Sequence, residues 1–235
     1  MKIKRVLLKL SGEVLGGNAG SGIENDELGF YSNEIKQAVK KGFEVAVVIG
    51  GGNIFRGGTL IKDGFLDRVN GDYMGMLATI INGIALKTTL NKIGIKAKLI
   101  TSFEIDKIGE LYNHDKVLKY LDDGYTLIFS GGTSNPYFTT DSAAAMRAIE
   151  IEADAIMKGT KVDGVYSADP MKDKNAKKYD KIKFAEAIQK ELKVMDLTAF
   201  ALCKENNKPI YVFKSNVKGN LVRALEKADI GTLVY

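Results

Sequence analysis

The chain has 235 residues, a formal net charge of +5, 45% hydrophobic and 27% charged residues, one cysteine and one histidine. That length suits one α/β domain or two small ones and buries roughly 70–75% of the unfolded surface. The composition excludes an internal disulfide framework and a Cys/His zinc site, and no apolar run reaches the ~18 residues of a membrane span.

Met1-Lys2-Ile3-Lys4-Arg5 runs straight into the first apolar segment without a signal-type hydrophobic region, so a cytoplasmic protein with no membrane partner is expected. Lysines are scattered over segments such as Lys36-Lys40-Lys41 and Lys172-Lys174-Lys177-Lys178, and the arginines are only Arg5, Arg56, Arg68, Arg147 and Arg223. No nucleic-acid partner is expected, and the charge suits phosphorylated small molecules.

The first strand, Arg5–Leu10, carries a lysine where apolar residues surround it: Val6-Leu7-Leu8-Lys9-Leu10. Lys9 is either an edge lysine that snorkels to solvent or a point charge for a phosphate. Ser11-Gly12 and a flexible loop, Gly16–Gly22, follow; then comes a helix over Asn25–Lys41. The second strand, Glu44–Ile49, stops in Gly50-Gly51-Gly52-Asn53-Ile54-Phe55-Arg56-Gly57-Gly58. Bare glycine amides with an arginine at a helix start suit an anion. Neither common phosphate loop is present: the chain has no Gly-Lys dipeptide, and the triple glycine does not fit G-x-G-x-x-G.

A long helix is predicted over Gly71–Ile93, opened by Asp72 as a cap or as an acceptor for ribose hydroxyls; Met74 and Met76 fit its buried face. Ala97–Thr101 reads as a strand, His114–Leu121 as a helix with His114 on the surface, and Tyr125–Ser130 as a strand. Gly131-Gly132-Thr133-Ser134-Asn135-Pro136-Tyr137-Phe138-Thr139-Thr140 then leads to a helix over Asp141–Glu152. Asp141 is either its N-cap, worth about 1 kcal/mol, or the orienter of Lys9 or of metal-bound water. After the strand Asp154–Lys158 comes Gly159-Thr160-Lys161-Val162-Asp163-Gly164-Val165-Tyr166, leading to Asp169-Pro170. Val162–Lys178 reads as a lid or a plain solvent loop. Leu197–Asn206 reads as a helix in which Cys203 packs, Ile210–Phe213 as a strand, and Gly231–Tyr235 as a last edge strand.

Strands alternating with helices predict an α/β fold, a doubly wound and mostly parallel sheet covered on both faces. Four glycine- or threonine-rich loops then share the carboxyl edge of one sheet, where ligands of such folds bind. Backbone donors, hydroxyls and a few cations are the inventory of phosphoryl transfer, in which positioning and charge stabilisation do most of the catalysis. A phosphate acceptor is already an anion, so no general base is required.

The motifs Lys9-Leu10-Ser11-Gly12-Glu13, Val48–Gly57, Gly71–Thr79, Asn135–Ala144, Lys161–Tyr166, Ala168-Asp169-Pro170 and Glu191–Asp196 occur in that order. Together they resemble the amino acid kinase superfamily and, within it, the bacterial uridylate kinases, over essentially the whole chain. The resemblance implies a three-layer αβα sandwich forming one domain, 1–235, with an acceptor part (about 1–150) and an ATP part (about 151–235). It implies transfer of the ATP γ-phosphate to UMP in pyrimidine nucleotide biosynthesis, with Lys9, Arg56 and Asp141 as the catalytic set. ATP would meet Lys9, Leu10, Ser11, Gly12, Gly52, Arg56, Thr160, Tyr166 and Asp169. UMP would meet Gly51, Asp72, Thr133, Ser134, Asn135, Pro136, Tyr137, Phe138, Thr139 and Thr140. Mg²⁺ would ride mainly on phosphate oxygens and water, with no protein metal-ligand set.

The resemblance further implies a homohexamer inhibited by UTP, with a GTP-responsive loop at Gly17, Asn18, Ala19, Gly20, Ser21 and Gly22. Where better-known relatives place Arg, His and Trp around that effector, this chain offers Lys87, Asn91, Lys98, His114 and Tyr125. Lysine lacks the arginine fork, so the response to GTP stays open. Two other readings remain: a superfamily kinase for a carboxylate or carbamate acceptor, and a non-catalytic uridine-nucleotide sensor. Lys9, Arg56 and Asp141 together favour turnover over sensing.

Overall fold

Apolar strands five or six residues long, separated by amphipathic helices, have one economical solution: a sheet sandwiched between helical layers. A computed structural model shows that solution and describes every residue except Met1, Lys2, Met171 and Lys193. The expected run-in at Met1-Lys2 and the Lys193 position of the last motif therefore lie outside the described residues.

The first half contains β1 (Arg5–Leu10), a 3-10 segment (Gly12–Ala19), α1 (Asn25–Lys40), β2 (Glu44–Ile49), α2 (Gly57–Lys62) and α3 (Arg68–Lys92). It continues with β3 (Ala97–Thr101), β4 (Glu110–Leu111), α4 (His114–Asp122), β5 (Thr126–Ser130) and α5 (Thr140–Glu150). Then come β6 (Ala155–Thr160), β7 (Val165–Tyr166), β8 (Lys178–Tyr179), β9 (Lys181–Ile182) and α6 (Phe184–Gln189). The chain closes with α7 (Leu197–Glu205), β10 (Ile210–Lys214), α8 (Asn220–Glu226) and β11 (Gly231–Val234).

Nine strands form one sheet in the order β4-β3-β5-β2-β1-β6-β10-β11-β9. Its pairings are parallel except β10 with β11. The chain winds outward from β1 in both directions, to β2 on one side and β6 on the other, which opens a crevice at their carboxyl ends. Alternation along β1 sends Val6, Leu8 and Leu10 to one face and Leu7 to the other. The first face packs on Tyr31 and Ile35 of α1, Leu86 and Leu90 of α3 and Leu221 of α8. The second packs on Ala144 and Ala148 of α5, Ala187 of α6 and Phe200 and Cys203 of α7. Each fully buried Leu, Ile or Phe contributes on the order of 1.5–3 kcal/mol, so both helical layers are firmly held.

Five sequence expectations need correction, the first being Met74, which is exposed on α3 while Met76 is buried as expected. β11 is not an edge strand: it lies between β10 and β9, antiparallel to the first and parallel to the second. Asp72 does not cap α3, because the helix starts earlier and Asp67 accepts from the Asn70 amide at 2.9 Å. Nor does Asp141 cap α5; Thr139 does, accepting from the Asp141 and Ser142 amides, which frees the Asp141 carboxylate for other work. The expected loop from Gly16 is partly 3-10 structure, and its Gly22 amide is tied to the Asn53 carbonyl at 2.8 Å. The described residues of the charged segment 162–178 do loop out, and the segment is clasped by the β7–β8 ribbon.

Candidate active site

Lys9 and Lys158 are register partners on the adjacent parallel strands β1 and β6. Both lie on the face that packs against α5, at the end of an apolar run. The first turn of α5 lies over them. Lys9 Nζ lies 2.6 Å from Asp141 Oδ1, and Lys158 Nζ lies 2.8 Å from Asp141 Oδ2. Lys158 also donates to the Val194 carbonyl at 2.5 Å. The three side chains are only 12–15% exposed.

Burial pushes the Asp141 carboxyl upward, but the two flanking ammonium groups outweigh it and hold the group below the ordinary carboxylate range. Burial, with some help from Lys9, lowers Lys158 below the usual lysine value against the pull of Asp141. Two ammonium groups face one carboxylate, so the cluster is suited to a further negative charge.

The cluster is held from two directions. Asp196, the N-cap of α7, accepts from the Ala199 amide at 2.8 Å and from Ser142 Oγ at 3.1 Å, and also from Thr139 Oγ1. One carboxylate thereby fixes the starts of both α5 and α7. On the other side, the triglycine turn abuts β1: the Gly50 amide donates to the Leu10 carbonyl at 3.0 Å. A Cβ on Gly51 would stand 2.7 Å from Ala78 Cβ and 2.9 Å from the Gly75 carbonyl oxygen, so only glycine lets this turn lie against α3. Buried Asn82 donates to the Gly50 carbonyl at 2.7 Å and to Asn53 Oδ1 at 2.7 Å, pinning the turn from behind.

Arg56 stands apart from the lysine pair. Its Nε donates to the Gly52 carbonyl at 3.0 Å and its Nη2 to Glu13 Oε1 at 2.6 Å. Lys161 reaches the other Glu13 oxygen at 3.6 Å. Glu13 thus links the loop after β2 to the loop after β6.

Two clefts flank the cluster. The first, of about 370 Å³, is lined by Gly51, Gly52, Asp72, Phe138, Thr139 and Thr140, together with Arg68. The second, of about 660 Å³, is lined by Thr160, Tyr166, Asp169 and Lys158, and by Lys190 beyond them. Lys158 borders the second cleft, and Asp141, bonded to Lys158, follows Thr140, which borders the first, so the cluster links the linings of the two clefts.

The structure therefore brings Gly51, Gly52, Asp72, Phe138, Thr139 and Thr140 together around the first cleft and Thr160, Tyr166 and Asp169 around the second, with Lys9 and Asp141 joined to Lys158 of the second. Tyr166 is set by its hydroxyl, which donates to Asp163 at 2.5 Å. Leu10 is wholly buried and lines neither cleft; Ser11 and Gly12 follow at the strand end. Thr133, Ser134, Asn135, Pro136 and Tyr137 form a loop beside the first cleft rather than its lining. Thr133 Oγ1 bonds within that loop to Asn135, and the Tyr137 amide donates to Asp72 Oδ2 at 2.7 Å.

Of the residues expected around an effector, Lys87, Asn91 and Lys98 share an open hollow of about 340 Å³. His114 and Tyr125 stand outside it: His114 contacts Tyr112, and Lys98 lies over the Tyr125 ring. Lys98 is already paired with Glu110 at 2.5 Å.

The sequence pattern did not single out Lys158, Asp196, Asn53 or Asn82 as site residues. A signal existed for Lys158: it interrupts Ala155-Ile156-Met157-Lys158 just as Lys9 interrupts β1. Among the described residues no three His, Cys, Asp or Glu side chains gather to hold a metal.

The amino acid kinase family model matches residues 4–214. The uridylate kinase of Porphyromonas gingivalis is 52% identical, covering 98% of this chain and 96% of that protein. That of Phocaeicola vulgatus is 50% identical, covering 100% of this chain and 99% of that protein. Among solved structures, the UMP kinase from Bacillus anthracis superposes with a TM-score of 0.96 at 38% identity, covering 100% of this chain and 96% of that one. The UMP kinase from Ureaplasma parvum gives 0.94 at 40% identity, covering 100% and 99%. With a matching fold, paired clefts and full-length similarity, the chain belongs to the amino acid kinase family, among its bacterial uridylate kinases.

Proposed function

We propose that this protein is a nucleoside monophosphate kinase that transfers the γ-phosphoryl group of ATP to UMP, giving UDP and ADP. The observation that carries this reading is the Lys9–Asp141–Lys158 cluster, which links the linings of two clefts through Lys158 and through Thr140 beside Asp141. Migrating phosphoryl oxygens need fixed positive charge, and two largely buried ammonium groups held by one carboxylate provide it without reorganisation. Asp141 positions both lysines. The first cleft receives UMP through Gly51, Asp72, Phe138, Thr139 and Thr140, with Thr133–Tyr137 as the loop beside it. The second receives the adenosine portion through Thr160, Tyr166 and Asp169, and Lys9, Leu10, Ser11, Gly12, Gly52 and Arg56 meet the phosphates between them. Arg56 has room to turn toward them, its side chain being 62% exposed. The UMP phosphate is already an anion, so a groove without a histidine is no obstacle.

Phosphoryl transfer from ATP employs a divalent metal, here Mg²⁺ carried by the nucleotide. The residues present fit that arrangement: no acidic cage is needed, and the Asp141 carboxylate, paired at each oxygen with one ammonium group, keeps acceptor capacity for a metal-bound water. Bound Mg²⁺ neutralises phosphate charge.

The same reading covers one domain, residues 1–235, whose acceptor part spans about 1–150 and whose ATP part spans about 151–235. It includes a cytoplasmic location and UTP as an inhibitor at the UMP cleft, and Gly17–Gly22 is the loop at which a response to GTP is to be sought. A homohexameric assembly is supported by Val69, Tyr73, Leu77 and Ile81, exposed apolar residues recurring every fourth position on α3. No described helix is long and apolar enough to cross a membrane.

The test is a coupled assay of purified protein with MgATP and UMP, CMP, glutamate or carbamate. UDP formation from UMP is the expected result. Tight UMP binding without UDP means a sensor, and turnover of a carboxylate or carbamate alone means another branch of the family.

A further inference from the structure

Arg68 is the one cationic side chain among the described residues that line the first cleft. It is the first residue of α3 after the cap Asp67, and its Nε donates to Asp72 Oδ2 at 2.8 Å. Helix stability does not account for this pair. A cation in the first turn opposes the helix dipole, and a base placed four residues before an acid is the weaker of the two orientations. At 49% and 19% exposure, the two side chains also form the kind of pair that adds little to folding.

Tyr137, on the loop after β5, touches both partners. Its amide donates to Asp72 Oδ2 at 2.7 Å, and the Arg68 guanidinium lies 5.5 Å from its ring centroid. Tyr137 has φ of +73°, a left-handed conformation unfavourable for a side-chain-bearing residue, and its exposed ring gains no core packing in return. The bond to Asp72 ties this strained position of the loop to α3. Both contacts to Asp72 fall on Oδ2, which keeps Oδ1 for the cleft that Asp72 lines.

We propose that Arg68 is a positioning residue for the acceptor: it fixes the Asp72 carboxylate so that one oxygen anchors the Tyr137 loop and the other receives the acceptor's ribose hydroxyls. This rests on the reading of the first cleft as the UMP site. Arg68 acts through Asp72, and the loop it anchors carries Phe138 and Thr139 into the same cleft.

The proposal is tested by calorimetric binding of UMP and of its 2′,3′-dideoxy analogue to the full chain, as wild type, Arg68→Met and Arg68→Lys. Loss of the hydroxyls should weaken wild-type binding by about tenfold or more, and Arg68→Met should weaken UMP binding by a similar factor. The two losses should not add: Arg68→Met weakens binding of the dideoxy analogue by a clearly smaller factor than binding of UMP, because the hydroxyl contact is already gone. Arg68→Lys recovers part of the UMP affinity, and ATP affinity stays unchanged in both variants. Equal weakening of UMP and the analogue, or weakening of neither, overturns the proposal. If Arg68→Met does not fold, Arg68→Lys carries the same comparison. A wild type that binds and phosphorylates UMP but ignores the hydroxyls also overturns it. Absence of UDP from the wild type strikes the functional reading itself and takes the proposal with it.

Discussion

Lys9 and Lys158 face each other across neighbouring parallel strands, and the single carboxylate of Asp141 holds both ammonium groups, at 2.6 and 2.8 Å. Like charges so placed repel unless a counter-charge lies between them. Asp141 is that charge in the free protein, and a transferring phosphoryl group extends the same logic during turnover.

Removing the counter-charge should therefore be costly. Asp141→Asn leaves two largely buried ammonium groups unpaired and should lower stability at neutral pH by about 3 kcal/mol or more. The pH dependence has a definite sign. Asp141 titrates below its unfolded value of about 3.9, so its contribution is complete above that pH and is lost as pH falls through the lowered native value. Denaturant titrations should show wild type and variant far apart at pH 7 and converging in acid. A constant gap across that range would count against the pairing.

Arg56 should behave in the opposite way. Its contacts are to a backbone carbonyl and to half-exposed Glu13, so Arg56→Ala should change unfolding free energy by less than about 1 kcal/mol. UDP formation should fall by roughly tenfold or more, the loss expected when a charge-stabilising donor goes. Melting curves and rates on one preparation separate the two effects. Parallel losses would return Arg56 to a structural role.

Cys203 should be chemically silent in the folded state. Burial pushes its thiol up to about 12, and the thiolate is the reactive form. A chromogenic disulfide reagent near pH 8 should label native protein only as fast as it unfolds, and label it at once in denaturant. Prompt labelling of the native enzyme would mean that α7 opens far more readily than its packing implies.

Much of the sheet was legible because its strands are short apolar runs bounded by glycine or charge. Arg5–Leu10, Glu44–Ile49 and Ala97–Thr101 have the expected limits. β6 runs two residues past Lys158, since Gly159 and Thr160 find partners in Phe213 and Lys214 of β10. Gly57–Lys62, Phe184–Gln189 and Asn220–Glu226 escaped notice because six or seven residues are too few to display a helical period. Asp72 and Asp141 looked like caps because each opens a helical pattern, yet Asp67 and Thr139 stand closer to the true helix starts.

Lys9 and the triglycine turn were visible in the sequence because each breaks a local pattern. Lys158 breaks one equally, but its meaning depends on β1 and β6 being neighbours in matching register, which no local pattern states. Asn82 was hidden for the same reason: a polar residue within a long helix acquires a role only when a distant turn needs its donor.

The most direct test of the two-lysine cluster is the turnover number for UDP formation by Lys158→Met, with both Michaelis constants measured alongside. Turnover should fall by about 10²–10³-fold while the Michaelis constants for UMP and ATP change only a few-fold, as for loss of a charge felt mainly in the transition state. Turnover within about threefold of wild type, in a folded variant, would contradict a catalytic role for the pair.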